Sequence, residues 1–242
     1  DAGPDIRWVG NESGNAGETC WSTIDTAGMS PGKADASYLN TGDSHGKFWI
    51  PAETDVSIRP GWFYHEEEND KVQPAKELMN LYYQSVGRNS LLLLNIPPNK
   101  EGLFSNENVK SLYDFRKILN ETFQNNLVNS NDEKFLTDKK LNTFIALKEG
   151  ASKIISFKKT VSFNRAMFQE NITNGQRNEK ALLEYWNNNH WQKIAEFTTI
   201  GYKRLLRFPL IKTTKIRITI LNAKLSVQLA ELGFYKASAM EE

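Results

Sequence analysis

Residues 90–95 read SLLLLN, and this continuous apolar run decides how the first half of the chain folds. Gly87-Arg88-Asn89 precede the run and Pro97-Pro98 follow it, so residues that break regular structure stand at both of its ends. A short uninterrupted apolar run of this kind is typical of a parallel strand that is buried on both faces. We therefore predict such a strand over Ser90–Asn95.

Helical periodicity lies on both sides of this strand. Pro74 opens a helix that Gly87 ends, and its apolar residues recur at steps of three and four. Ser105 or Asn106 caps a second helix, which has an apolar stripe of its own. A further strand candidate spans Lys47–Ile58, so strand, helix, strand and helix alternate. This order predicts a parallel α/β architecture.

The second half of the chain has a different pattern. Asn125–Lys134 (NNLVNSNDEK) has the composition of a linker, and short β-rich runs separated by Gly, Asn and Pro follow it. Ile216, Ile218 and Ile220 alternate with polar residues, which indicates one buried and one solvated face. Many short strands at regular spacing predict a β-sandwich. We predict an α/β domain over residues 1–125 and an all-β sandwich over residues 126–242. The predicted strands of the sandwich are Lys153–Phe157, Arg165–Gln169, Ala181–Trp186, Trp191–Phe197, Lys203–Phe208, Lys215–Leu221 and Val227–Tyr235.

Composition narrows the classes of function. A formal net charge of +1 argues against a nucleic-acid footprint, and no apolar run reaches the length of a membrane span. The single cysteine, Cys20, excludes an internal disulfide and is expected to be a buried small residue rather than a nucleophile. The three histidines lack the spacing of metal ligands. We therefore expect neither a metal nor a cofactor.

One carboxylate stands where a catalytic group is expected. Residues 3–14 read GPDIRWVGNESG and pass from a β-like run at Ile6–Val9 into Gly10-Asn11-Glu12. Barrel enzymes carry their catalytic residues at the C-terminal ends of strands. Glu12 is therefore a candidate catalytic residue.

This first block resembles a motif of the α-L-fucosidases of glycoside hydrolase family 29. Two more blocks match the same family in the same order, WIPAETDVSIRPGWFYH (Trp49–His65) and SVGRNSLLLLNIPPNKEG (Ser85–Gly102). Two later runs resemble the C-terminal domain of the family, QENITNGQRNEKALLEYW (Gln169–Trp186) and TTIGYKRLLRF (Thr198–Phe208). The resemblance implies that residues 1–125 are the C-terminal portion of a (β/α)8-like barrel. The first two blocks are more similar to the branch that acts on α-1,3- and α-1,4-linked fucose of Lewis-type glycans.

The resemblance also implies that part of the catalytic machinery lies elsewhere. A (β/α)8 barrel takes about 250 residues, and roughly half that length precedes the predicted sandwich. The nucleophilic aspartate of the family lies on an earlier strand, and no residue of this chain matches its motif. The sequence moreover opens on Asp1 in the middle of a motif. We therefore expect a companion N-terminal segment of the same enzyme to supply the nucleophile.

The resemblance gives roles to several residues of this chain. Glu12 takes the acid/base role of a retaining mechanism, which needs two carboxyl groups about 5 Å apart. Glu53, at the predicted mouth end of the next strand, is the alternative acid/base, and otherwise it binds a sugar hydroxyl or pairs with Arg59. Trp62 follows Pro60-Gly61 and is expected to stack on fucose, with packing at the base of its loop as the alternative.

Other side chains have less specific expectations. Trp8 binds substrate or, like Trp49, packs in the core. His65 donates to a sugar hydroxyl or is an ordinary loop histidine. Arg88 and Asn95 flank the SLLLLN strand and are expected to make structural hydrogen bonds. In the sandwich, the tryptophans on either side of an Asn-rich hairpin, Trp186 and Trp191, form a cross-strand pair or a sugar site.

Two hypotheses of function follow. The chain is the C-terminal part of a retaining exo-α-L-fucosidase that acts on fucosylated oligosaccharides, or it is a non-catalytic carbohydrate-binding or scaffolding fragment. Because fucosylated glycans lie outside the cytoplasm, we expect a periplasmic or secreted protein.

Overall fold

The computed structural model describes residues 5–30, 32–128 and 132–241. The first half of the chain contains a parallel sheet and an antiparallel pair of strands. The sheet has the order β1-β4-β5, and β2 pairs with β3. In chain order the elements are β1 (Arg7–Trp8), β2 (Thr23–Ile24), α1 (Ala36–Thr41), β3 (Phe48–Trp49), β4 (Ala52–Ser57), a 3-10 helix (Glu66–Lys71), α2 (Ala75–Gln84), β5 (Leu91–Asn95) and α3 (Asn106–Phe123).

The predicted helices are confirmed, and the first predicted strand is divided. Helix α2 begins after Pro74, and α3 begins after Ser105, whose hydroxyl accepts the Asn108 N–H at 3.3 Å. The segment predicted as one strand over Lys47–Ile58 contains β3 and β4. Pro51 lies between them and has no N–H to donate, so the parallel ladder begins after it.

The prediction that the SLLLLN strand is buried on both faces is wrong. Leu91 and Leu93 are 51% and 50% exposed. Strand β5 pairs only with β4 among the described residues, and its register places Leu91 beside Glu53 and Leu93 beside Asp55. These side chains and Trp8 share one face of the sheet, here called the Trp8 face, which no helix of the described chain covers. The opposite face packs towards α2, and its β4 residues Ala52, Thr54 and Val56 are buried.

The second half of the chain is one antiparallel sheet with the order β6-β11-β7-β10-β8-β9. The first two predicted strands are one strand, β7, and the fifth and sixth are one strand, β10. Pro209 lies inside β10 at a register shift between Arg207 and Ile211, where no ladder N–H is required of it. The elements are a 3-10 helix (Lys134–Leu136), β6 (Ile145–Leu147), β7 (Ser152–Glu170), a second 3-10 helix (Ile172–Asn174), β8 (Asn178–Asn187), β9 (His190–Phe197), β10 (Arg204–Ala223) and β11 (Val227–Tyr235).

This sheet encloses a core in the way expected of a sandwich. Phe168 on β7 stacks on Phe197 on β9 with ring centroids 5.3 Å apart, although β10 and β8 separate these strands in the sheet. Strand β7 and the edge strand β9 therefore face each other across the core. Ile216, Ile218 and Ile220 are buried in this core, which confirms their predicted alternation.

The predicted linker is partly docked on the sandwich. Asn126 donates to the Leu232 carbonyl at 3.0 Å and accepts the Phe234 N–H at 3.1 Å. Leu127 donates its N–H to the Phe234 carbonyl, and Val128 is part of the sandwich core. Residues 125–128 belong to no helix or strand, and the amide side chain of Asn126 replaces strand hydrogen bonds beside β11. Residues 129–131 of the predicted linker lie outside the described residues.

Cys20 is buried where the two halves of the chain meet. Its N–H donates to Thr199 Oγ1 at 3.0 Å, and the next hydrogen bond along joins the Ser22 N–H to Gln176 Oε1 at 2.9 Å. Burial raises the pKa of the Cys20 thiol to about 11, so the thiol is protonated at neutral pH. The prediction of a buried small residue is confirmed. No described helix is long and apolar enough to cross a membrane.

Candidate active site

Glu12 and Trp62, two of the site residues predicted from the sequence, meet at one edge of the parallel sheet. Strands β1, β4 and β5 run in the same direction, so the loops that follow them lie at a common C-terminal edge. Glu12, in the loop after β1, is exposed there. Trp62, in the loop after β4, donates its indole N–H to Glu12 Oε2 at 2.9 Å. A carboxylate and an aromatic ring from different loops therefore share one site.

The loop that carries Glu12 is fixed on both sides of this residue. Gly10 has a φ of +84°, and a Cβ there would lie 3.0 Å from Ala36 Cβ. Gly14 has a φ of +71° and donates its N–H to the Asp55 carbonyl at 2.9 Å. Any residue with a Cβ atom would be strained at both positions, because a positive φ favours glycine. The backbone therefore holds Glu12 at the tip of a short constrained loop.

The loop that carries Trp62 is held by the end of β5. The Asn95 amide donates to the Trp62 carbonyl at 3.0 Å and to Ser57 Oγ at 3.1 Å. The Ile58 N–H donates to the Asn95 carbonyl at 3.0 Å. The predicted structural hydrogen bonding of Asn95 is confirmed, and it also positions the backbone of Trp62.

Arg59 organises the base of the same loop. The side chain is buried, and its guanidinium lies 4.8 Å from the centre of the Tyr64 ring. The predicted ion pair with Glu53 is wrong, because other acceptors take the guanidinium N–H groups. These acceptors are Asn108 Oδ1 at 3.0 Å, Asn69 Oδ1 at 2.7 Å, Ser105 Oγ at 2.8 Å and the His65 carbonyl at 3.3 Å.

Glu53 lies deeper in the sheet than the sequence predicted. It is the second residue of β4, which ends at Ser57, so it does not lie at the mouth end of the strand. At about 3.3 Å per residue, the Cα atoms of Glu53 and Ser57 are roughly 13 Å apart along the strand. Glu53 is half-buried beside Trp8 on the Trp8 face.

The expectation of core packing is wrong for two tryptophans. Trp8 and Trp49 are 47% and 39% exposed, because no described element covers their faces. Trp8 donates its indole N–H to Asp55 Oδ1 at 2.7 Å, which fixes its ring on the Trp8 face. His65 is exposed and directly precedes the first 3-10 helix. Within the described chain, Asp, Glu, His and Cys side chains form no group of three or more that could hold a metal ion.

Comparisons with known proteins find relatives of one kind. Residues 18–122 match the sequence model of the family described as Alpha-L-fucosidase. The chain is 39% identical to Alpha-L-fucosidase 1 of Arabidopsis thaliana over 97% of its own length and 50% of that protein. It is similar to the crystal structure of a putative alpha-L-fucosidase from Bacteroides thetaiotaomicron, with a TM-score of 0.90 and 36% identity over 97% of this chain and 55% of that one. A Ruminococcus gnavus GH29 fucosidase solved in complex with fucose has a TM-score of 0.84 and 28% identity, over 98% of this chain and 52% of that one.

The comparisons agree on the kind of protein that this chain resembles. The chain is homologous over most of its length to glycoside hydrolases. The family that they support is that of the α-L-fucosidases, glycoside hydrolase family 29. The chain spans about half the length of the curated relatives that it matches, 50% of one and 49% of the other.

Proposed function

We propose that this chain is the C-terminal part of a retaining exo-α-L-fucosidase and that Glu12 is its acid/base. The observation that carries the proposal is the contact between Glu12 and Trp62 at the C-terminal edge of a parallel sheet. Catalytic residues of barrel enzymes lie at this edge, and the relative from Ruminococcus gnavus was solved with fucose bound.

Glu12 acts twice in a double-displacement mechanism. As an acid it gives a proton to the glycosidic oxygen while the nucleophile forms a bond to the anomeric carbon. As a base it then takes a proton from the water that breaks this covalent bond. The Trp62 indole N–H stabilises the ionised carboxylate that stands between the two steps, because hydrogen bonds to a charged acceptor are stronger than those to a neutral one.

Four side chains form the proposed sugar site beside Glu12. The ring of Trp62 stacks on the apolar face of fucose, and Trp8, held by Asp55, offers a second aromatic surface. Glu53 and His65 bind sugar hydroxyls from the Trp8 face and from the loop after β4. The half-buried and exposed positions of these residues support contact with a ligand.

We propose that the nucleophilic aspartate lies on a companion N-terminal segment. The length of the curated relatives outside the matched half is sufficient for such a segment. The segment would complete a (β/α)8-like barrel and cover the exposed leucines of the Trp8 face. The proposed substrates are α-1,3- and α-1,4-linked fucosides of branched glycans, and the proposed location is the periplasm or the exterior of the cell, where such glycans occur.

The test compares the complete enzyme with residues 1–242 alone. The complete enzyme should release fucose from Lewis-type trisaccharides faster than from α-1,2- or α-1,6-linked fucosides. Proton NMR should show the α-anomer of fucose as the first product, as retention requires. Residues 1–242 alone should show no turnover, and turnover by them would place the nucleophile in this chain. Binding of fucosylated glycans by the complete enzyme without hydrolysis would instead support the non-catalytic hypothesis.

A further inference from the structure

A second site with an unusual charge lies where the α/β half meets the sandwich. A cleft of about 200 Å³ lies between the end of α2, the segment before β5 and the beginning of β10. Its charged residues are Arg88, Arg204, Arg207 and Glu18. The cleft is smaller than the roughly 300–1,000 Å³ pockets that take drug-sized ligands. Its size therefore suits a small ion and not an oligosaccharide.

Arg204 is the deepest of these residues. It is 6% exposed, its Nη1 donates to the Glu18 carbonyl at 2.6 Å, and its Nε is buried without a hydrogen-bond partner among the described residues. Burial and then the nearby charge of Arg88 lower the pKa of Arg204 to about 10, which still leaves it charged at neutral pH. A buried cation with an unsatisfied donor needs an acceptor close by.

The other two arginines line the cleft and have partners that orient them, Arg88 partly buried and Arg207 exposed. Arg88 forms an isolated β-bridge with Arg204 and donates to the Ala16 carbonyl at 2.7 Å. Arg207 donates to Asn80 Oδ1 at 2.5 Å and lies over the Tyr83 ring. Carbonyl, amide and aromatic partners orient a guanidinium but do not neutralise it.

The described carboxylate of the cleft balances little of this charge. Glu18 Oε1 lies 3.5 Å from Arg88 Nη2, and the Glu18 side chain is 80% exposed. Three guanidinium groups against one carboxylate leave an excess of two positive charges. Water screens the attraction of an exposed carboxylate, so even this pair is weak.

We propose that this cleft, here called the arginine cleft, binds a tetrahedral oxyanion, phosphate or sulfate. The excess charge matches a dianion, and several guanidinium groups around one small cleft are typical of sites that bind phosphate. Arg88 belongs to the α/β half and Arg204 and Arg207 belong to the sandwich, so the bound ion ties the two halves together. The proposal is independent of the fucosidase activity, because its readouts are binding and stability.

Thermal melting of the complete enzyme tests the arginine cleft. Sodium phosphate, sodium sulfate or sodium acetate replaces sodium chloride at constant ionic strength. Phosphate and sulfate also stabilise proteins generally, but that effect rises without saturation, whereas a bound ion gives a saturable rise in Tm. We expect saturation with phosphate or sulfate and none with acetate, and titration calorimetry should give the same half-saturation concentration.

Three variants make the result specific. Arg88→Met should raise the half-saturation concentration at least tenfold, and Arg207→Met should do the same if the first variant does not fold. Arg217→Met is the matched control, because Arg217 also pairs with a glutamate and its side chain is 28% exposed against 25% for Arg88. It should bind the ion as the unmodified enzyme does. A linear rise in Tm that is equal in all proteins, or saturation by acetate, would overturn the proposal.

Discussion

Trp62 contacts Glu12 through its indole N–H, so this contact does not use the face of its ring. The indole N–H donates to the carboxylate, and the half-buried ring stands in a loop at the C-terminal edge of the sheet. A single residue can therefore position the proposed acid/base and bind the sugar. These two roles can be separated, because phenylalanine keeps an aromatic ring but has no N–H.

We expect Trp62→Ala to raise the KM for fucosides strongly and to change the Tm of the complete enzyme only slightly. A loop aromatic contributes mainly to binding, whereas truncation of a core tryptophan costs about 3–5 kcal/mol of stability. Trp62→Phe should keep a KM closer to that of the unmodified enzyme but alter the pH profile of kcat. Steady-state kinetics and thermal melting measure both effects. A collapse of Tm with an unchanged KM would show that Trp62 is a core residue.

At the scale of residues, short sequence motifs predicted which residues belong to the site but not their contacts with residues distant in the sequence. Two separate blocks of sequence assigned Glu12 and Trp62 to one site, but neither block predicted the hydrogen bond between them. The partners of Arg59 were missed, because Asn108 and Ser105 are more than forty positions away and nothing local connects them to Arg59. Asp55 lies inside β4 and fixes the ring of Trp8, a contact that no local pattern indicated.

At the scale of elements, helices and hairpins were easier to predict than long strands. Trp186 and Trp191 are directly opposite across the β8–β9 hairpin with ring centroids 5.2 Å apart, which confirms the cross-strand pair. Strands β7 and β10 were each predicted as two strands, because Asn164 and Pro209 have the character of breakers. In the sheet, neighbouring strands hold both segments extended, and register shifts accommodate the irregular residues.

The turn between β7 and β8 depends on one buried carboxylate. Glu170 Oε1 accepts the N–H groups of Arg177 and Asn178 at 2.9 and 3.0 Å, and Oε2 accepts that of Gly201 at 2.7 Å. We expect Glu170→Gln to reduce the free energy of unfolding by about 2–4 kcal/mol, because the amide NH2 would face a backbone donor in a buried place. Urea denaturation measures the loss. Glu179→Gln is the control on β8 and should change stability by less than about 0.5 kcal/mol. Equal values for both variants would contradict this account.

At the scale of the whole molecule, a second buried carboxylate joins the C-terminal tail to both halves. Glu241 Oε1 lies 2.5 Å from Arg165 Nη2 on β7, and Glu241 Oε2 accepts from Thr122 Oγ1 on α3 at 3.2 Å. We expect Glu241→Ala to cost about 3–5 kcal/mol of stability, because Arg165 would remain buried and unpaired. Thermal melting provides the measurement. Glu196→Ala, which removes a surface partner of Lys180, should leave Tm unchanged. A similar Tm for both variants would show that Glu241 does not stabilise the contact between the two halves.

The junction between the two halves was the least predictable feature of the molecule. Composition separated an α/β half from a β-rich half, but the hydrogen bonds of Cys20, Asn126 and Glu241 join residues that are distant in sequence. The exposure of Leu91 and Leu93 was also missed. The run SLLLLN has the composition of a strand that is covered on both faces. The residues around it do not indicate whether another element covers the Trp8 face.

The most direct test of the central claim is azide rescue of Glu12→Gln in the complete enzyme. We expect kcat/KM for a Lewis-type trisaccharide to fall by about 10²–10⁴-fold, because the sugar leaving group needs a proton. An aryl fucoside with a good leaving group needs no proton in the first step, so the fucosyl-enzyme should accumulate. Azide needs no base to attack, so it should restore turnover and yield α-fucosyl azide after two inversions. Rescue of Glu53→Gln with no rescue of Glu12→Gln, or a β-configured azide from Glu12→Gln, would contradict the assignment of Glu12 as the acid/base.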